Sequence, residues 1–152
     1  MYFCALKLIT NQLKMKNKVE ITWKEDMAFE ATVNDHKIII DADDTVGGKD
    51  RGPRPKPLTL VSLGGCTGMD VISILTKMRV KPDYFNVEVE GELTEEHPKY
   101  YHTIRINYIF KGKDLPMEKL EKAVTLSQDR YCGVTTMLNK AAKIEHKIII
   151  KE

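Results

Sequence analysis

Residues 58–79 carry an apolar pattern that leaves a helix almost no wet side, and this constrains the fold more than any other stretch. Leu58, Val61, Ile72 and Leu75 recur at helical spacing, and Leu60, Leu63, Val71, Ile74 and Met78 do so on a neighbouring face. A helix apolar nearly all round has to be covered by other elements, so it is predicted to be central. Three glycines, Gly64, Gly65 and Gly68, interrupt it at a cost of about 1 kcal/mol each relative to alanine. Such a cost predicts a compensation, usually close approach of another backbone, which reads either as tight packing alone or as a narrow space over Cys66, the residue lying among these glycines.

The flanking segments switch to period two. Residues 19–23, 28–33 and 37–40 are rich in β-branched and aromatic residues and are separated by turn formers such as Asn34-Asp35, which predicts an antiparallel meander. Residues 41–57 hold Gly47-Gly48, Gly52-Pro53 and Pro55-Lys56-Pro57 and read as a long loop, of a length that is usually functional or mobile. After Lys81-Pro82-Asp83, residues 85–93 and 101–111 alternate as a hairpin with one wet face. Pro116 opens a further helix, Gly133 interrupts it, residues 134–142 form a short second helix, and residues 143–151 end as a strand. The predicted order is β-β-β-α-β-β-α-α-β, an α+β fold.

Length and composition narrow the class. At 152 residues the chain suits one domain, and a net charge of +2 from mixed signs gives no basis for a nucleic-acid or membrane partner. Three cysteines without a C-x-x-C argue against a secreted disulfide framework and for a reducing cytoplasm. The N-terminal apolar run, broken by Lys7, is too short for a signal or a span, and Cys4 stands too early to be a lipid-attachment site. Met15-Lys16-Asn17-Lys18 reads as a second start, so residues 1–14 are expected to be an extension outside the fold. His36, His97, His102 and His146 are scattered with no cysteine at ligand spacing, so no metal site is expected. Phosphate-binding glycine loops and a serine-hydrolase elbow are absent.

The chemistry rests on two thiols. Cys66 lies in Gly64-Gly65-Cys66-Thr67-Gly68-Met69-Asp70 and Cys132 in Arg130-Tyr131-Cys132-Gly133-Val134, at a helix junction. Taken singly, each reads as inert core, the usual fate of a free cysteine. As a pair they suit thiol redox chemistry, which needs a shielded sulfur reachable by a partner sulfur. Ser62, Cys66 and Asp70 share one side of the helix at four-residue spacing, and an ionised Asp70 opposes thiolate formation. Activation would have to come from a cation, and Lys49, Arg51 and Arg54 of the preceding loop are the candidates. Cys132, beside a helix N-terminus, is expected to be favoured as a thiolate or leaving group.

Four segments together carry a family resemblance: Gly52-Pro53-Arg54-Pro55; Leu58 through Val71 with its Gly-Gly-Cys-Thr-Gly core; Glu96-His97-Pro98 with Gly112-Lys113-Asp114-Leu115; and Tyr131-Cys132-Gly133-Val134. They resemble the OsmC/Ohr family, nearest its YhfA-like branch, over residues 17–150, while residues 1–16 have no counterpart and are read as an extension to a single domain at 17–152. The resemblance implies an intertwined homodimer whose sheets wrap central helices, with two active sites at the interface. It further implies that Cys66 is the peroxidatic cysteine and Cys132 the resolving one, that organic hydroperoxides are the substrate, and that an external dithiol, with no bound cofactor, restores the pair. Arg51 and Arg54 are the nearby cations that such a thiolate-activating role would fall to. One departure stands out: relatives carry Pro-Met-Glu-Leu or Pro-Leu-Glu-Leu before the central helix, where this chain has Pro55-Lys56-Pro57-Leu58 and so loses the carboxylate to Pro57. Two functions follow as expectations, a thiol peroxidase or a non-enzymatic dimeric binding protein on the same scaffold.

Overall fold

The structure, a computed structural model, describes residues 16–151. The chain divides into two compact units, Met1–Pro53 and Arg54–Glu152.

In the first unit β1 (Glu20–Glu25), β2 (Ala28–Val33) and β3 (His36–Ile40) form the expected antiparallel meander in the order β1-β2-β3. Asn34 and Asp35 both adopt positive φ, 48° and 65°, which their short polar side chains tolerate in a two-residue hairpin. The register sets Trp23 opposite Phe29 and Phe29 opposite Ile40, with Ile21 opposite Ala31 and Ala31 opposite Ile38. Directly opposed residues share a face, so these six make one apolar surface. Ile21, Trp23 and Ile38 on it stay exposed.

The glycine- and proline-rich segment that follows is more ordered than its composition suggests. The buried Asp41 carboxylate accepts hydrogen bonds from the amides of Ala42, Lys49 and Arg51 and from Arg51 Nε at 2.8 Å. Gly48 and Gly52 lie so close to backbone carbonyls that an added Cβ would stand 2.0 Å from Ala42 O and 2.1 Å from Ile39 O. A carboxylate knot and two close approaches hold residues 41–53 together, with a 3₁₀ turn at Asp44–Val46 between them.

The second unit is built on α1 (Pro55–Lys77), packed against a sheet of β4 (Tyr84–Leu93), β5 (Tyr101–Lys111) and β6 (Lys143–Lys151). The helix starts three residues before the predicted boundary at Leu58. Pro55 and Pro57 sit in its first turn, where a missing N–H breaks no helical hydrogen bond. β5 is the central strand, antiparallel to β4 and parallel to β6. Its Ile104, Ile106, Tyr108 and Phe110 are fully buried, and α2 (Met117–Leu126) contributes Leu120, Ala123 and Val124 to the same core.

Of the two apolar stripes on α1, one is core. Leu63, Thr67, Val71, Ile74 and Leu75 are buried, whereas Val61, Met69 and Ile72 are 66%, 76% and 39% exposed. The helix is therefore half covered within one chain. By length and composition α1 would also pass for a membrane span, but here its core stripe packs on a sheet. The glycines meet side chains rather than a backbone: a Cβ on Gly64 would lie 3.0 Å from Val89 Cγ2, and one on Gly68 3.3 Å from Val87 Cγ2. Nothing stands within 4 Å of a Cβ at Gly65. That position floors an open groove of about 550 Å³ lined by Pro57, Leu60, Val61, Val87 and Val89.

Candidate thiol site

The last turn of α2 widens into a π-helical turn, Ser127–Tyr131, closed by the Cys132 amide donating to Ser127 O at 2.9 Å. Extra-residue turns of this kind recur at functional sites because they re-aim the side chains that follow. Cys132 emerges from it as the N-cap of α3 (Gly133–Leu138), the junction expected from the sequence. The predicted extension of that helix to residue 142 is not seen.

Cys132 is buried and Cys66 half-buried, both as free thiols. Their sulfurs and a carboxylate oxygen of Asp70 all lie within 4.8 Å of one another. The first turn of α3 adjoins both thiols: the Thr135 amide donates to Cys132 Sγ at 3.4 Å, and the Val134 amide favours the thiolate of Cys66. Helix-initial amides have no intrahelical acceptor, and one such donor is spent on the Cys132 sulfur.

Burial pushes the Cys66 thiol above its ordinary value of 9.0, and the hydrogen bond with Cys132 adds to the rise. The Val134 amide pulls the other way, while the charges of Cys132 and Asp70 reinforce the increase. Asp70 thus opposes ionisation, as the four-residue spacing predicts.

The candidate cations are placed as follows. Arg51 is held within the first unit by Asp41, by Glu25 Oε1 at 2.9 Å and by Asp26 Oδ2 at 3.2 Å. Lys49 pairs with Asp26 at 2.9 Å. Arg54 caps the start of α1, twelve residues from Cys66, or about 18 Å along the axis at 1.5 Å per residue. Pro57 lies in that same first turn. Cys4 and the expected extension at residues 1–14 lie outside the described residues.

A buried hydroxyl chain behind the thiols carries no signature in the sequence motifs. Thr67 Oγ1 contacts Tyr108 OH and, at 2.8 Å, Ser127 Oγ. Ser127 Oγ donates to Asp70 Oδ2 at 3.0 Å. Each hydroxyl has one proton, so the donor direction is fixed from the carboxylate backwards: Ser127 accepts from Thr67, and Thr67 accepts from Tyr108. Gln128 Nε2 donates to both Tyr108 and Thr67. The available signal was Thr67 itself, a polar residue at a core position of the α1 stripe. Its partners on β5 and the π turn could not be read from spacing.

Fold and site together define a class: an α+β protein with a cysteine inside the long helix and a second at a helix N-cap. Residues 47–147 match the family model described as OsmC-like protein. The chain is 33% identical over 130 residues to protein YhfA of Escherichia coli strain K12, covering 85% of this chain and 94% of that one. A crystal structure of a hypothetical protein from Aquifex aeolicus VF5 is 31% identical with a TM-score of 0.76, over 91% of this chain and 99% of that one. The organic hydroperoxide resistance protein OhrB of Bacillus subtilis, at 18% identity and a TM-score of 0.59 over 90% and 98%, shares the fold. The chain belongs to the OsmC family.

Proposed function

We propose that this protein is a thiol-dependent peroxidase that reduces organic hydroperoxides. The observation that carries the reading is the approach of two free sulfurs, 66 residues apart in sequence, to within 4.8 Å, with the Thr135 amide donating to one of them. In the proposed cycle the Cys66 thiolate attacks the terminal oxygen of the hydroperoxide, the O–O bond breaks, and the alkoxide leaves as the alcohol after taking a proton. Cys66 becomes a sulfenic acid. Cys132 attacks that sulfur and expels hydroxide, which leaves as water, and an external dithiol reduces the resulting disulfide by exchange. Family neighbours named for organic hydroperoxide resistance support this substrate class.

The proposed working unit is a homodimer in a reducing cytoplasm. Two uncovered apolar surfaces support it, the Ile21-Trp23-Ile38 face of the meander and the Val61-Met69-Ile72 stripe of α1. A second reading, a dimeric binding scaffold with little or no peroxidase activity, is favoured by two features: Pro57 stands where the family resemblance implies a carboxylate, and the surroundings of Cys66 raise its pKa.

A coupled assay with cumene hydroperoxide and hydrogen peroxide, driven by dithiothreitol or a lipoyl dithiol, separates the two. Cys66→Ser is expected to abolish peroxide consumption, because a serine hydroxyl is a far weaker nucleophile at neutral pH. Cys132→Ser should permit one oxidation and then stall, with a dimedone adduct on Cys66. No turnover by the unaltered protein, and no adduct with excess organic hydroperoxide, would transfer the assignment to the binding scaffold.

A further inference from the structure

We propose that the reduced thiol pair and Asp70 together bind a soft divalent cation of the Zn²⁺ or Cd²⁺ kind, and that disulfide formation expels it. The inference goes beyond peroxide turnover and would hold for a scaffold that turns over no peroxide. Among the described residues, Cys66, Cys132 and Asp70 are the cluster whose donor atoms converge, all within 4.8 Å of one another. A tetrahedral ion with metal–sulfur bonds of about 2.3 Å and a metal–oxygen bond of about 2.1 Å needs separations of roughly 3.8 Å between sulfurs and 3.6 Å between sulfur and oxygen. Small side-chain rotations bridge that difference.

The donor types select the ion. Two thiolates and one carboxylate suit a thiophilic or borderline cation and are poor ligands for Mg²⁺ or Ca²⁺. Three protein ligands leave a fourth position for water. The outer contacts that orient such ligands are also in place: Ser127 donates to Asp70 Oδ2 at the end of the hydroxyl chain, and the Thr135 amide donates to the Cys132 sulfur. Thr135 carries a buried hydroxyl with no hydrogen-bond partner, on the residue whose amide meets the Cys132 sulfur. The ionised site gathers three negative charges, which a dication offsets.

Binding displaces one proton from each thiol, two per ion. Release by a hydroperoxide is balanced: the metal dithiolate, ROOH and two protons give the disulfide, the free dication, ROH and water. Metal and disulfide are thus mutually exclusive states of the same two sulfurs.

The probe is Cd²⁺, titrated anaerobically into the reduced full chain carrying Cys4→Ser, so that all thiolate signal comes from the pair. The expected result is a thiolate-to-cadmium charge-transfer band that saturates at one ion per chain with two protons released. Cys66→Ser and Cys132→Ser should each halve the band per bound ion. Asp70→Asn should leave its intensity per ion unchanged and weaken affinity at least about tenfold. Prior oxidation by diamide, which needs no peroxidase activity, should abolish uptake, and this comparison carries the test if a serine variant fails to fold. Absence of a band in the reduced protein, unchanged affinity in Asp70→Asn, or equal uptake by the disulfide form would each overturn the proposal.

Discussion

At the sulfur of Cys66, burial, a thiol neighbour and the Asp70 charge oppose ionisation, and one backbone amide favours it. The balance lies on the side of the thiol. Because the thiolate is the nucleophile and its pKa is raised above 9.0, the reactive fraction grows about tenfold per pH unit through neutrality. The second-order rate constant for an organic hydroperoxide is therefore expected to climb steadily with pH and to level off only in the alkaline range. A stopped-flow profile reads this directly, and a plateau at or below neutral pH would mean that a cation reaches Cys66. The two thiols were legible in the sequence as a pair of motifs, and the opposition from Asp70 followed from its spacing on one helix. Thr67, Tyr108, Ser127 and Gln128 were not legible, since they come from three elements far apart in the chain and meet only through packing. Asp41 was missed for a related reason, its partners being mostly backbone amides that any sequence would supply.

Between elements, that hydroxyl chain joins α1, β5 and the π turn at one buried point. Thr67→Val keeps the shape of the side chain and removes its oxygen, so the Tyr108 hydroxyl loses its acceptor and Ser127 Oγ its donor, while Gln128 and Asp70 still hold the other side of each. A buried donor left without an acceptor costs about 1–3 kcal/mol. Urea denaturation should show a loss of that size, and an unchanged midpoint would show that the chain holds nothing together. The element order was readable because period two and the helical period alternate along the sequence. Boundaries failed where local rules were too strict. Pro55 and Pro57 read as loop residues, yet a first helical turn accepts them. The π turn gave no sign of itself, because Ser127 through Tyr131 keep a helix-like composition and differ only in carrying an i to i−5 hydrogen bond.

For the whole molecule the unsettled surfaces matter most. Val61, Gly65, Met69 and Ile72 follow one another at helical spacing along the uncovered side of α1, beside the open groove. Met69→Asp changes a residue that is 76% exposed in the single chain, so its effect on the isolated fold should stay within about 0.5 kcal/mol. In the proposed dimer the same charge would be buried without a partner. Light scattering should give a dimeric mass for the unaltered protein and a monomeric one for the variant; a monomer in the first case, or an undisturbed dimer in the second, would refute the assembly.

The parallel pairing of β6 with β5 also sets an order of events during synthesis. Cys66 leaves the ribosome early, but Cys132 and the Thr135 amide that donates to its sulfur follow 66 to 69 residues later. The strand that completes the sheet, Lys143–Lys151, comes last. Long-range pairings of this kind form slowly, because the chain between them must be closed first. For that interval the nascent chain carries an unshielded thiol, open to pairing with a wrong sulfur before the fold can cover it.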